Sequence, residues 1–115
     1  MLFRSDYAAV FDEIDTGVSG IAAQRVGEKL YSLSLKRQIL SVTHLPQIAV
    51  LADTHFLIEK SEAIGRTYTN VTVLDDIGRV YEIARLMGGD NVSEKTLTSA
   101  SDQIKKADEY KGKLK

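Results

Sequence analysis

The sequence predicts an α/β fold: a mostly parallel sheet flanked by helices, with an antiparallel hairpin. Three observations predict it. A short apolar run, "YAAVF" at 7–11, is followed by a segment with helical periodicity and then by a second β-rich run, "QILSVT" at 38–43. That strand–helix–strand order implies parallel strands joined by a right-handed crossover. Two more β-rich runs, "HFLIEK" at 55–60 and "YTNVTVL" at 68–74, flank a glycine-containing turn and read as a hairpin. Helical periodicity returns after residue 75.

Each element has a local reason. "YAAVF" has the continuous apolar character of a strand buried on both faces. Ser19 is a suitable N-cap, and Ala23, Val26, Leu30 and Leu33 then recur at helical spacing. Pro46, the only proline, suits the first turn of a short helix running to about Ala52. A helix from about Asp76 to Met87 places Ile77, Val80, Ile83, Ala84 and Met87 on one face, and Gly88-Gly89 stops it. From Ser93 onward, residues 93–115 form a polar, Lys-rich helical tail with few core residues. No internal repeat or low-complexity linker interrupts the chain.

The 115 residues fit one domain with a modest core. A hydrophobic share of 43% and a charged share of 27% are ordinary for a soluble globular protein. The net charge of −1 gives no global attraction to nucleic acid or anionic membranes. Without cysteine, disulfides and thiolate metal sites are excluded, which suits a reducing cytosol. No apolar run reaches the roughly 18 residues of a membrane span, and "MLFRSD" is too short and polar for a secretory signal.

The chemistry concentrates where the first strand ends. In "AAVFDEIDTGVSG", at 8–20, Asp12, Glu13 and Asp15 fall within four positions. Like charges this close repel one another, so they are either solvated or gathered around something positive. Ligands of parallel sheets collect at the carboxyl ends of the strands. Asp12 and Glu13 end the first strand, and Thr43 and His44 end the second, which puts the acidic pair and one of two histidines on one edge. An apolar strand ending in Asp-Glu meets the needs of a magnesium–nucleotide site. Mg²⁺ keeps several waters and takes one or two carboxylates, a role for Asp12. A neighbouring carboxylate, Glu13, can deprotonate or orient an attacking water. The bland alternative is that the Asp residues cap a turn and Glu13 is solvated.

The longer match narrows the choice. "VFDEIDTGVSG" followed by "VTHLPQIA" resembles the second half of an ABC-type ATPase head, most closely the RecN family of bacterial DNA repair proteins, relatives of the structural maintenance of chromosomes (SMC) ATPases. On that resemblance Ala8 to Glu13 match the Walker B motif, "IDTGVSG" matches the D-loop with Asp15 in place, and "SVTHLPQ" matches the switch-histidine segment with His44 sensing the phosphate. "HFLIEK" and "EIARLMGG" resemble the family's later strand and helix. The resemblance runs from about Ala8 into the tail. It implies the C-terminal lobe of a P-loop head over 1–115. The function implied is ATP binding and hydrolysis in DNA double-strand break repair and recombination. Glu13 and His44 would be catalytic, Asp12, Asp15 and His44 would serve ATP, and Asp12 would serve Mg²⁺ through water. The implied partners are the N-terminal lobe of the same head, a second head in an ATP-bound homodimer, and DNA. The setting is the bacterial cytoplasm, at the nucleoid, with no membrane.

The sequence also departs from the family. These residues contain no G-x-x-x-x-G-K-[ST] phosphate loop, no "LSGGE"-like segment and no coiled coil, and "MLFRSD" has no family counterpart. The chain therefore reads as a piece of a longer ATPase, inactive by itself. Two rivals are a magnesium-dependent phosphoesterase using Asp12, Glu13 and Asp15 directly, and a non-catalytic module whose apolar sheet edge pairs with another chain. His55 lacks partners at metal-ligand spacing and reads as structural. Thr43 and Gln47 are ordinary for a strand end and a first helical turn. Gly17 and Gly20 grant backbone freedom and, on the resemblance, keep the D-loop slim. Lys105, Lys106, Lys111, Lys113 and Lys115, interrupted by Asp102, Asp108 and Glu109, read as a solvated helix face.

Overall fold

The computed structural model describes residues 8–12, 20–89 and 91–114. Strand β1 (Ala8–Asp12) pairs in parallel with β2 (Gln38–Val42), in a register running from Ala8 opposite Gln38 to Asp12 opposite Val42. Helix α1 (Gly20–Ser34) connects them, so the strand–helix–strand opening forms as the sequence predicts. The proposed cap Ser19 lies outside the described residues. At the far end of α1, the Ser34 hydroxyl donates to the Tyr31 carbonyl, 2.6 Å away, and takes up an acceptor that the helix end leaves over.

The buried face of α1 is Ala23, Gly27, Leu30 and Tyr31, rotated from the predicted stripe. Val26 is half-buried and Leu33 exposed, because the helix turns Gly27 toward α2 (Pro46–Ala49). A Cβ on Gly27 would lie 2.8 Å from Leu51 Cδ1 and 3.2 Å from both the Gln47 carbonyl oxygen and the Ile48 Cα. Two of those neighbours are backbone and cannot rotate away. Gly27→Ala is thus expected to destabilise the chain. Overpacking costs about 1–3 kcal/mol, against a gain in helix propensity of about 1 kcal/mol. Gly112, near the end of the last helix, meets nothing within 4 Å, so Gly112→Ala should raise stability. Urea melts of the two variants should move in opposite directions; equal shifts would contradict the close α1–α2 contact.

Helix α2 is shorter than predicted. It ends at Ala49, and the chain turns through Val50 and Leu51 rather than continuing to Ala52. Strands β3 (Phe56–Ala63) and β4 (Arg66–Val73) form the hairpin, longer than predicted and paired as a ladder of their own. Ile64 and Gly65 turn the chain, both at positive φ (53° and 71°), as a two-residue hairpin loop requires. All of β4 is exposed.

Helix α3 (Asp76–Gly88) begins at Asp75, whose carboxylate accepts from the Gly78 N–H at 2.7 Å. It stops at Gly89, where φ is 80° and the N–H donates to the Arg85 carbonyl. The predicted stripe holds at Ile83 and Ala84, both fully buried, but Ile77 is 72% exposed because the first turn of α3 lies outside the core. Helix α4 (Glu94–Leu114) starts with the Ser93 hydroxyl accepting from the Thr96 N–H. The core gathers Tyr31 of α1, Ala49, Val50 and Leu51 at α2, Ile83 and Ala84 of α3, and Ala100 and Ala107 of α4.

One expectation about the tail is overturned. Lys111 is not on a solvated face: it is 8% exposed, continuing the stripe of Ala100, Ile104 and Ala107 at helical spacing.

Candidate functional site

The parallel register decides how the predicted site residues are placed. Asp12, the last residue of β1, is the Cα partner of Val42, the last residue of β2. His44 follows two residues later and is exposed. The carboxyl ends of the two strands therefore lie side by side, with Asp12 and the segment bearing His44 on one sheet edge. Glu13 and Asp15 lie outside the described residues, as does Gly17.

The His44 segment is locally shaped. The Thr43 hydroxyl accepts from the Leu45 N–H at 3.0 Å, folding the chain between β2 and α2. Leu45 is extended (φ −97°, ψ 123°) ahead of Pro46, as residues before proline prefer. Its carbonyl accepts from the Ile48 and Ala49 N–H groups, so α2 begins two residues after His44.

The far end of α2 is held by two cations that sequence reasoning did not single out for this role. Arg79 Nη2 donates to the Val50 carbonyl at 2.6 Å. Lys111 Nζ donates to the Ala52 carbonyl at 3.2 Å and to Asp53 Oδ1 at 3.0 Å, and lies 5.5 Å from the centre of the Tyr31 ring. Beside Arg79 sits His55. Burial is the main reason its pKa falls below the ordinary 6.5; the Arg79 charge adds to the lowering, and Glu82 opposes it. Glu82, itself buried, is engaged by the Arg85 guanidinium. His55 is half-buried, and its environment makes it pH-sensitive.

The sign of that sensitivity follows from linkage. With the folded pKa below the unfolded value, the unfolded chain takes up the proton first as pH falls. The stability that neutral His55 supports is complete above about pH 6.5 and is lost as pH falls toward the lower folded pKa. Urea midpoints of the wild type should therefore drop between pH 7.5 and 5.5, and His55→Gln should flatten that slope. An unchanged slope would show that His55 is not the group responsible.

Metal binding can be assessed from the donor chemistry. Among the described residues no three His, Asp or Glu side chains gather as a metal-binding set. Mg²⁺ that keeps most of its water needs only one or two carboxylates, and Asp12 is a hard oxygen donor at a strand end where ligands collect. In donor chemistry, a single carboxylate suits an ion that keeps most of its water. No helix among the described residues is long and apolar enough to cross a membrane.

Comparison with known proteins finds no matching family model. Curated sequences do match. DNA repair protein RecN of Bacillus subtilis is 45% identical over 102 residues, covering 89% of this chain and 18% of that protein. The RecN proteins of Deinococcus radiodurans and Vibrio cholerae are 45% and 41% identical, over 84% and 83% of this chain. The chain spans about a fifth or less of the length of these relatives. A solved structure from work on ATP-driven dimerization and DNA-stimulated activation of SMC ATPases shares the fold, with a TM-score of 0.57 and 18% identity. That match covers 76% of this chain and 52% of the other. High identity along nearly the whole chain and an SMC ATPase fold agree with the motif order, and the chain belongs to the RecN family as its C-terminal part.

Proposed function

We propose that this chain supplies the Walker B, D-loop and switch-histidine part of an SMC-like ATPase head that acts in DNA double-strand break repair and recombination. The observation that carries the reading is the β1–β2 register, which sets Asp12 beside the strand leading to His44, in a chain 40–45% identical to RecN proteins. In this reading Asp12 holds Mg²⁺ through its water shell, and Glu13 accepts a proton from the attacking water. His44 donates to the terminal phosphate, and Asp15 lies in the D-loop facing a partner head. Magnesium, when bound, supplies charge neutralisation at the phosphate oxygens.

The remaining parts come from elsewhere in the protein. The N-terminal lobe of the same head carries the phosphate loop, and it would cover apolar hairpin residues such as Ile58, Val71 and Val73, each more than half exposed here. A second head completes an ATP-bound homodimer, and DNA is engaged by the whole protein in the bacterial cytoplasm.

The isolated chain should therefore bind Mg-ATP weakly and turn it over no faster than buffer. Calorimetric titration and a phosphate-release assay check both. Robust metal-dependent hydrolysis by the purified chain would instead favour the phosphoesterase. A nucleotide-independent complex with an N-terminal lobe, without hydrolysis, would favour the interaction module.

A further inference from the structure

We infer that Arg79 and Lys111 are positioning residues for His44, clamping the carbonyl end of α2 from the two C-terminal helices. The inference rests on the reading of His44 as the group that meets the terminal phosphate.

A four-residue helix cannot hold its own place: nucleation is unfavourable and little propagation follows. Its position is imposed by its surroundings. At its start, His44 and Leu45 lead directly into Pro46. The Ala49 N–H bonds the Leu45 carbonyl at 3.1 Å and the Val50 N–H bonds the Pro46 carbonyl at 3.0 Å, so the two ends move together. The carbonyls just beyond the helix are where the clamp closes, Arg79 on Val50 and Lys111 on Ala52. Arg79 comes from α3 and Lys111 from α4, helices that pack on one another. A cation at each carbonyl also suits the negative end of the helix.

The burial of Lys111 argues for geometry over stability. Its neighbours Ala100, Ile104 and Ala107 form an otherwise apolar stripe on which an apolar side chain would avoid the desolvation cost of an ammonium. Buried charge pairs are weak evidence for stability, because apolar replacements often serve as well or better. What an apolar residue cannot do is grip a backbone carbonyl. Lys111 keeps that grip with Asp53 at 3.0 Å, Asp108 at 3.8 Å and the face of Tyr31 around it.

The test is a double-mutant cycle in the complete ATPase, with Lys111→Met, which keeps the stem and removes the donor. Small displacements of a reacting group by remote changes cost up to about a hundredfold. Turnover is expected to fall about ten- to a hundredfold with ATP affinity within twofold of wild type. On a His44→Ala background the same substitution should change turnover no further. In this chain, the amide resonances of Thr43 and Leu45 should shift with Lys111→Met while that of Gly65, at the hairpin tip, stays in place. Should Lys111→Met melt the helix pair, Arg79→Met carries the same test. Wild-type turnover in the clamp variants, or an equal loss with and without His44, overturns the clamp while leaving an impaired His44→Ala, and so the role of His44, intact. A fully active His44→Ala removes the reading itself and the clamp with it.

Discussion

Glu13→Gln in the complete head is expected to bind ATP as the wild type does and to hydrolyse it about 10²–10⁴-fold more slowly, the usual worth of a general base. That range corresponds to about 3–5 kcal/mol of barrier. The amide keeps the shape of the carboxylate but cannot accept the proton of the attacking water. If hydrolysis parts the heads, as the proposed reading holds, an ATP-held head dimer should accumulate. Asp12→Asn should fail differently. It weakens the hold on Mg²⁺, so binding and hydrolysis both fall, and added Mg²⁺ restores part of each. ATP affinity, phosphate release and dimer fraction, measured for both variants, separate the roles. Wild-type hydrolysis by Glu13→Gln, or equal loss of binding in both, would end this division of labour.

His44→Ala should lower turnover on the order of 10²-fold, the scale of losing one donor aimed at developing charge. ATP affinity should change far less. In the proposed reading the imidazole meets the terminal phosphate, where charge rearranges during transfer, while the base and sugar are held by other parts of the head. Steady-state kinetics with a parallel nucleotide-binding measurement give the comparison. Unchanged turnover with unchanged binding would remove His44 from the mechanism.

The local parts of the architecture were legible because they are written in periodicity and punctuation. The strand–helix–strand opening follows from two apolar runs around a helical pattern, and the glycine pair at 88–89 marks the end of α3, where Gly89 takes φ of 80°. The shared edge of Asp12 and His44 was legible too, since parallel pairing alone brings the strand ends together. Contacts between distant segments were not. Nothing near Arg79 or Lys111 announces a carbonyl 29 or 59 residues away. A partial signal existed for Lys111, which keeps the spacing of Leu97, Ala100, Ile104 and Ala107; its charge hid that it completes the stripe. Ile77 shows the opposite failure, an apolar residue in register with the core face but a turn too early to reach it. The buried face of α1 depended on Gly27, whose missing side chain lets α2 approach, and hydrophobic spacing does not register that.

The central claim is that this chain is one lobe of a RecN-type ATPase head, and mixing the lobes tests it most directly. This chain and the separately prepared remainder of a RecN head, carrying both the phosphate loop and the LSGGE-like segment, would each be assayed for Mg²⁺-dependent phosphate release, alone and together. The account predicts that neither alone exceeds buffer, that the mixture hydrolyses ATP, and that the activity disappears when the chain carries Glu13→Gln. A mixture that forms a stable complex yet stays inert, or a chain that hydrolyses ATP without the other lobe, would contradict it.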